Sequence, residues 1–556
     1  MIKTLFAADL TVNWQITGIS GTALENIQAR LTAEKQLHEP FQDQTAVQNF
    51  LDQAPFHIKK AVEPFGYFNS KVTTSVQHRS NTWTLNANII PGPLVKVSQI
   101  NIKIIGPGAT DAVTQRAKSK FALKIGDPFT TLAYEAAKEK IFTSITNAGY
   151  IKANFTQKEV TINPNTNSAT IMLELNTGEK YYFGNVTFEK NVYDTRFLNR
   201  FITFKTNEPF SSKRLLATQQ SLEKSRYFQQ VVLTPDYDAI KNHRVPITVT
   251  LSAPKAKKYN IGFGFGTLTG PRLTAGVEYR HLTDTGHSLS AQTRLSPILS
   301  NVAAKYYIPG PQPLTDQYTL GVSAQKFLPK NGKSESVDAS IGFSRTLPIW
   351  QYNLNLNYLD ERFSVEKNPA KHSNVLYPSI TIGYNRTNDL FNPTSGYQLN
   401  FKAQGATKTL LSKTQFFQTD IKGKYLFSPT PASLLIFKGE LGYTVVNDLN
   451  SLPLSLRFFA GGPTSLRGYR DSSIGPGRYL TLASAEYQHQ VYGNWYATVF
   501  HDVGNATNHF DEPIKQSTGL GVVYQSMIGP IKIYVARSDG ADNGPWRLQF
   551  SLGPDA

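Results

Sequence analysis

From Lys257 to the C-terminus the chain is written in short segments with a period of two, and this pattern limits the fold more than any other feature. Tyr259, Ile261, Phe263 and Phe265 supply a bulky apolar side chain at every second position, and Gly262, Gly264 and Gly266 lie between them. Successive side chains of a strand point to opposite faces, so the segment has one apolar face and one bare face. Such a strand suits a sheet that meets lipid on one side and a lumen on the other. No run of 18 apolar residues occurs in the chain, which removes a transmembrane helix. A spanning protein without helices must be a closed barrel, because hydrocarbon offers no partner to an open row of backbone N–H and C=O groups.

Sixteen strand-like segments follow one another in this region. They begin near Lys257, Arg272, His287, Ser300, Asp316, Ser334, Trp350, Val375, Ser395, Thr414, Ala432, Arg478, Asn494, Ser517, Gly529 and Pro545. Short connections such as Leu347-Pro348-Ile349-Trp350, Ser428-Pro429-Thr430-Pro431 and Tyr492-Gly493-Asn494 predict tight turns at every second junction, with longer loops at the other end. An even number of strands places both barrel ends on the same side of the membrane. The glycine run of the first strand lacks the last glycine of a dinucleotide loop and no βαβ unit follows it, so a nucleotide site is not expected there.

Before residue 255 the text repeats about every 80 residues, which is the size of a small domain and not of a solenoid repeat. Pro128-Phe129 and Pro209-Phe210 recur at equivalent places, and the helices end at Phe65-Gly66-Tyr67, Ala148-Gly149-Tyr150 and Ser225-Arg226-Tyr227. Each unit reads strand, helix, helix, strand, strand. Leu132 to Phe142 has apolar positions three and four apart, as an amphipathic helix requires, and Ala169 to Leu175 alternates as a half-buried strand. The expected domains are 9–93, 94–178 and 179–254, followed by the barrel over 257–556. The fold class is thus α+β in the three N-terminal domains and a 16-stranded transmembrane antiparallel β-barrel after them.

Two places in the barrel carry chemistry. The first is the stretch Gly461-Gly462-Pro463-Thr464-Ser465-Leu466-Arg467-Gly468-Tyr469-Arg470, a long loop between the eleventh and twelfth strands. An arginine held inside such a loop needs a carboxylate, since an unpaired buried charge is costly. Glu486 on the twelfth strand and Asp502 on the thirteenth are the candidates, with Phe500, Asp502 and Gly504 on one strand face. A guanidinium suits this task because its charge is permanent and its donors are forked. Arg467 is expected to pair with Asp502, Glu486 or both, fixing the loop inside the barrel. The second place is the seam. Gly262, Gly264 and Gly266 weaken the first strand, and the last strand, with Leu548, Phe550 and Gly553, is short. A weak first-to-last pairing is an edge that could open sideways and template a client strand by β-augmentation.

The balance of Lys and Arg over Asp and Glu gives a net charge of +17. The basic residues are scattered, so lumen lining and anionic headgroups explain the charge, and nucleic acid is not an expected partner. The chain has no cysteine. It also lacks HExxH, GxSxG and CxxC motifs, and its ten histidines, His57 and His78 among them, show no ligand spacing. No enzyme activity, cofactor or metal is expected. Met1 to Asp9 resembles the tail of an export signal that is too short to act as one, so the segment reads as a truncated signal peptide.

The run GGPTSLRGY resembles the loop-six signature of the outer-membrane barrel-assembly superfamily (BamA/TamA type), and Phe500-His501-Asp502-Val503-Gly504 resembles its Phe-x-Asp-x-Gly wall motif. The N-terminal repeats resemble polypeptide-transport-associated (POTRA) domains. Three such units, and the ending Leu552-Gly553-Pro554-Asp555-Ala556, are most similar to the translocation and assembly module (TamA) subfamily. Asp389-Leu390-Phe391-Asn392-Pro393-Thr394-Ser395-Gly396 resembles the family's Asn-Pro and Pro-Thr-x-Gly turn with the first proline missing. The resemblance implies a Gram-negative outer-membrane location with periplasmic POTRA domains and a role in inserting outer-membrane proteins or autotransporters. It also implies a TamB-like partner anchored in the inner membrane, and contact with outer-membrane lipid. A two-partner-type secretion pore and a phospholipid conduit are the alternative expectations.

Overall fold

The computed structural model describes residues 10–189, 191–266, 270–366, 368–389, 392–408, 411–526, 529–539 and 546–552. Gly553 and the rest of the terminal motif, together with Met1 to Asp9, Leu390 and Phe391, lie outside the described residues.

Three three-stranded sheets precede the barrel. In the first, Thr82–Ile90 is central, parallel to Thr11–Thr17 and antiparallel to Lys71–Arg79. In the second, Ser168–Asn176 takes the same place between Lys96–Ile105 and Asn154–Asn163. The third sheet has the order Tyr182–Phe188, Arg244–Ser252, Gln230–Pro235. Helices Gly21–His38 and Gln44–Val62, Ala112–Ser119 and Thr131–Thr146, and Thr195–Asn199 and Ser212–Lys224 fall between the first and second strands of each unit. These are three POTRA-like domains.

The second domain shows why the repeat folds this way. Thr130 caps the helix Thr131–Thr146 by accepting from the Ala133 N–H at 3.2 Å, which satisfies one of the donors that a helix start leaves open. Tyr134, Ala137, Ile141 and Ile145 are its buried residues, spaced three or four apart on one stripe. They pack on Ala169, Ile171, Leu173 and Leu175, the alternate buried positions of the central strand. Each fully buried aliphatic side chain of this kind contributes about 1.5–3 kcal/mol, which makes this contact the core of the domain.

The barrel sheet has 16 strands in sequence order. Strands one to eight are Lys257–Gly266, Gly270–Tyr279, Ser288–Leu295, Leu299–Pro309, Asp316–Phe327, Gly332–Thr346, Trp350–Val365 and Lys371–Thr387. Strands nine to sixteen are Gly396–Ala406, Phe416–Thr430, Ser433–Val446, Tyr479–Tyr492, Trp495–Thr507, Lys515–Ser526, Gly529–Asp539 and Arg547–Leu552. Among the described residues no helix is long and apolar enough to cross a membrane; the chain crosses with strands. Outward positions are apolar and exposed, as Val337, Ile341, Leu354, Leu441 and Leu520 show. Trp350, Tyr352, Tyr384 and Tyr397 stack at the near-side ends of strands seven to nine, where an aromatic belt meets the headgroups.

The connections differ from the expected alternation of short turns and long loops. The far-side links 296–298 and 328–331 are short, and the near-side link 280–287 is long. Strands six, seven and eight have 15, 16 and 17 residues, so length that reads as loop is used as extended hairpin. The near-side links have a separate use. The Asp194 N–H donates to the Asp284 carbonyl at 2.9 Å, and Tyr193 packs edge-on against His281 at 5.6 Å. Arg226 Nη2 donates to Ser288 Oγ at 3.0 Å. Segments 188–202 and 220–232 of the third domain are thus one compact unit with the barrel.

Between the second and third domains Asp111 accepts from the Tyr150 hydroxyl at 2.5 Å and from Lys180 Nζ at 2.7 Å. The Lys180 hydrogen bond, followed by that of Tyr150, holds the Asp111 carboxyl below the ordinary carboxylate range. A depressed folded-state pKa gives stability that is present above the unfolded value and lost as pH falls through the folded one. Among the described residues every α-helix lies in the N-terminal domains, so α-helical circular dichroism reports on them. Asp111→Asn is expected to lower the urea midpoint of the helical signal at neutral pH, with the difference from wild type shrinking as pH falls below the ordinary carboxylate range. Equal midpoints at pH 7 would remove the cluster from the stabilising contacts.

Candidate functional site

Strands twelve to fifteen bring one inner wall together in register. Ser484 lies opposite Asp502, which lies opposite Ser517 and then Ser538. On the next inward row Glu486, Phe500, Gly519 and Ala536 follow one another across the same strands. Side chains of one face recur at every second residue, so this wall has two rungs, one polar and one built around an aromatic ring. A Cβ at Gly519 would stand 2.4 Å from Phe500 Cζ. Its absence lets the Phe500 ring lie across the sheet, with Tyr534 edge-on at 5.2 Å.

The loop between strands eleven and twelve comes down onto this wall. Phe458–Ala460 and Ile474–Gly477 pair as a small hairpin that closes its base. Gly461 has φ +104°, and a Cβ there would meet the Arg470 carbonyl oxygen at 2.2 Å. Only glycine fits a fold-back of this kind. Leu466 is fully buried with Ala460, Ile474, Leu480 and Ala506, and Tyr469 packs against the same cluster. Between Leu466 and Tyr469 the chain turns Arg467 into the wall.

Arg467, Glu486 and Asp502 are 3%, 3% and 0% exposed, so the charges meet without solvent between them. Arg467 Nε donates to Asp502 Oδ2 at 3.0 Å and Nη2 to Asp502 Oδ1 at 2.7 Å, a forked pair. Its Nη1 donates to Glu486 Oε2 and its Nη2 also to Ser484 Oγ at 3.0 Å. The Arg467 backbone N–H donates to Asp502 Oδ2 at 3.0 Å. The guanidinium carbon stands 3.4 Å from the Phe500 ring centre and 5.0 Å from that of Tyr534, so the cation is stacked as well as paired.

The acids are saturated from behind. Ser484 and Ser517 donate to Asp502 at 2.7 and 3.2 Å. Gln488, Thr498 and Tyr534 donate to Glu486 Oε1 at 2.7, 3.3 and 3.2 Å. Breaking such a pair leaves a buried charge without a partner, at a cost of about 3–5 kcal/mol. Gln549 on the last strand donates to the Arg467 carbonyl oxygen, and a Cβ on Gly468 would collide with Ser517 Cβ at 2.7 Å and the Ser538 nitrogen at 2.9 Å. The loop tip therefore rests on strands twelve to sixteen. Its other end reaches the opposite side of the sheet, where Asn331 Nδ2 donates to the Gly475 carbonyl at 2.9 Å and Phe459 packs on Phe327.

Sequence reasoning named Arg467 and both acids and left open which acid is used; the arginine touches both. It placed Gly504 on the wall, and a Cβ there would meet the Thr481 carbonyl oxygen at 2.1 Å, so the glycine shapes the strand pairing and does not touch Arg467. It did not single out Ser517, Gly519, Tyr534 or Gln549 as site residues. The signal for Gly519 was a bare inner face, Ser517-Gly519-Gly521, opposite a motif phenylalanine. For Gln549 it was a polar residue between Leu548 and Phe550.

At the seam, the first strand pairs with the second from Lys257 opposite Tyr279 to Gly266 opposite Gly270. The last strand pairs with the fifteenth over six residues. Among the described residues no ladder joins strand sixteen to strand one, and these two strands end the sheet. Tyr259, Ile261 and Phe263 are 68%, 72% and 81% exposed on the outer face beside this edge, and Leu548 is 55% exposed across from it.

A sixteen-stranded barrel with a loop fixed in its lumen and three POTRA-like domains before it defines a class of outer-membrane transmembrane protein. The family profile described as the Omp85 superfamily domain matches residues 166–555, and that of POTRA domain TamA domain 1 matches residues 13–91. The chain belongs to the Omp85 superfamily, as an outer-membrane barrel with POTRA domains in the periplasm. It is 21% identical over 453 residues to the outer membrane protein assembly factor BamA of Neisseria meningitidis serogroup B, which covers 74% of this chain and 55% of that protein. It thus spans about half the length of the curated relative it matches. A crystal structure of Haemophilus ducreyi BamA lacking POTRA domains 1–3 superposes with a TM-score of 0.70 at 18% identity, covering 82% of this chain and 99% of that one. CdiB from Acinetobacter baumannii aligns over 96% of this chain and 99% of its own with a TM-score of 0.47 and 13% identity.

Two substitutions separate charge from shape at the wall. Arg467→Ala is expected to destabilise the folded barrel by about 3–5 kcal/mol, read as a lower temperature for the heat-modifiable gel shift. Arg467→Ala combined with Asp502→Ala should cost less than the sum of the two single changes. Gly468→Ala keeps every charge and should loosen the loop tip through its clash with Ser517 and Ser538. If Gly468→Ala and Arg467→Ala both behave as wild type, the loop is not held by this contact.

Proposed function

We propose that this protein is an insertase or translocation factor that assembles outer-membrane β-barrel proteins, autotransporters among them, through the seam between its first and last strands. The observation that carries this reading is that, among the described residues, strands one and sixteen lie side by side without a ladder between them, in a barrel whose lumen is crossed by a fixed loop. A row of free backbone donors and acceptors at lipid depth is costly unless another strand satisfies it. A nascent barrel strand is a partner that needs this service. Gly262, Gly264 and Gly266 weaken the first strand's hold on any partner, which favours exchange over permanent closure. Leu548 and Phe550 on the last strand, with Gly553 beyond the described residues, make up the other lip.

Arg467, with Glu486 and Asp502, acts in this reading as the lock that ties loop six to strands twelve to sixteen and so braces the last strand from inside. The relative named above is an assembly factor, and the first-domain match is to a TamA-type POTRA, which together favour a translocation-and-assembly role. The POTRA domains then dock a TamB-like periplasmic protein anchored in the inner membrane, each sheet offering an outer strand for β-augmentation. The chain itself needs no cofactor, and it supplies no catalytic step.

The chain has no cysteine, so engineered disulfides are clean reporters. With Gly264→Cys in the first strand and a cysteine in the final strand of an outer-membrane client, oxidation during assembly is expected to trap a mixed disulfide at alternate client positions. No capture along the client strand, with ion conductance in planar bilayers instead, points to a secretion pore and overturns the seam reading.

A further inference from the structure

The barrel wall has a second discontinuity, away from the seam. Strand eight pairs with strand seven from Lys371 opposite Phe363 to Tyr384 opposite Trp350. Its pairing with strand nine stops at Ser379 opposite Gln404, although strand eight continues to Lys371. The next residue toward the external end is Pro378. The Leu376 N–H donates to Ser412 Oγ at 2.9 Å and the Lys413 N–H donates to the Asn374 carbonyl at 2.9 Å. Backbone groups of the even-numbered residues of this stretch therefore face strand nine. Pro378 is the one among them with no N–H to give, and the ladder ends where that donor is missing. Beyond it the segment 411–414 leans on strand eight in place of strand nine, with Asn374 Nδ2 donating to the Leu411 carbonyl at 3.2 Å.

The gap opens on the apolar outer face as a groove of about 740 Å³ lined by Leu356, Leu376, Ile380, Ala403, Phe417 and Val445. Its floor reaches the buried Ala406 and Phe416. Leu356, Phe417 and Val445 are 47%, 53% and 50% exposed. The volume lies in the range of sites that take one small ligand, about 300–1,000 Å³. Alternation of side chains puts this face in hydrocarbon, so its occupant comes from the bilayer. Above the groove, toward the external end of strands seven and eight, stand Arg362, His372 and Lys413. Asp360 is 3.0 Å from His372 Nε2, and Lys413 Nζ is 3.4 Å from His372 Nδ1. Among the described residues neither Arg362 nor Lys413 makes a salt bridge with an acid.

We propose that this groove holds an acyl chain of a phosphorylated, multiply acylated lipid of the external leaflet, with Arg362 and Lys413 against its phosphate. An acyl chain fills the apolar slot beside Ala403, whose side chain is too short to reach Leu356 and Leu376 across the gap, while Phe417 closes the slot over Gly405. The cations supply a charge-assisted contact that a net-anionic phosphate gains in full and a zwitterionic headgroup, whose own ammonium balances its phosphate, gains only in part. The groove lies on strands seven to eleven and does not involve the seam, so the site stands or falls independently of the insertase reading.

The test is native mass spectrometry of the full chain released from detergent micelles after titration with bis-phosphorylated lipid A or with phosphatidylcholine. One retained lipid A is expected, with weaker retention of phosphatidylcholine. Ala403→Trp, which fills the groove, should lower lipid A retention about tenfold, the loss expected when roughly two buried methylenes are displaced. Leu399→Trp, on the same strand and outside the groove, should retain it as wild type does. Ile380→Trp fills the groove from the opposite wall and serves if Ala403→Trp does not give a heat-modifiable barrel. Arg362→Gln with Lys413→Gln should bring lipid A down to the phosphatidylcholine level. Equal lipid A retention by wild type and both groove-filling variants would falsify the site. Equal retention of the two lipids by wild type overturns the preference for a net-anionic phosphate over one balanced by its own ammonium.

Discussion

A guanidinium removed from water is the constraint on which the rest of this barrel depends. Arg467 cannot shed its proton to escape burial, since its pKa lies far above any accessible pH. The wall must therefore bring opposite charge to it, and it brings two carboxylates. Lys438 and Lys532 add positive charge near Glu486, and the remaining lone pairs of the two acids must be filled by donors. Ser484, Ser517, Gln488, Thr498 and Tyr534 do that. These donors sit on strands twelve to fifteen, so satisfying one side chain fixes the register of four strands at once. The ion pair is thereby a register pin, and the loop is where it attaches.

The same principle, that polar groups at membrane depth must be satisfied, explains where the sheet is weak. Among the described residues neighbouring barrel strands meet it with ladders, and two departures stand out. At strands one and sixteen the ladder is absent among the described residues. Between strands eight and nine it stops at a proline, and Ser412 and Lys413 take over the stranded backbone groups. The two breaks differ in kind. The internal one is repaired by the chain itself and leaves a static slot. At the terminal one the two end strands lie side by side without forming a ladder among the described residues.

How much of this was legible in the sequence depended on whether a residue's role came from a period or from a partner. The strand starts at Lys257, Trp350 and Gly529 follow from alternation, which is a local property, and the sixteen-strand sheet contains them. The helix Thr131–Thr146 was likewise written in its spacing. Arg467 stood out because a charge among glycines has no local use, and its acids were legible as inward positions of neighbouring strands. Tyr534 and Gln549 were not, because nothing local distinguishes a lumen tyrosine from a belt tyrosine; their meaning comes from strands that pair far away in sequence. Pro378 was passed over for the same reason. A proline in a strand signals a missing donor, but which neighbour lacks it depends on backbone parity that only the assembled sheet defines. Loop lengths misled where hairpins ran past the membrane, since extended chain in water and loop have the same composition.

The loop's position also limits what the barrel can do. A polypeptide passing along the lumen would have to displace a segment anchored at one end by Arg467 and at the other by Asn331 and Phe327. The first of those anchors alone is worth about 3–5 kcal/mol when broken at one partner. Passage at the seam requires no such displacement, because the tip contacts strands twelve to sixteen and pins the last strand through Gln549. Pinning one lip while the other is a glycine-rich strand makes the two lips unequal. The sixteenth strand is tied to the register pin, whereas the first strand, among the described residues, forms a ladder with the second alone. Under the proposed seam reading the first strand is therefore the lip without such a pin, and the third POTRA-like domain is fastened through Tyr193 and Asp194 to the 280–287 link beside strand two.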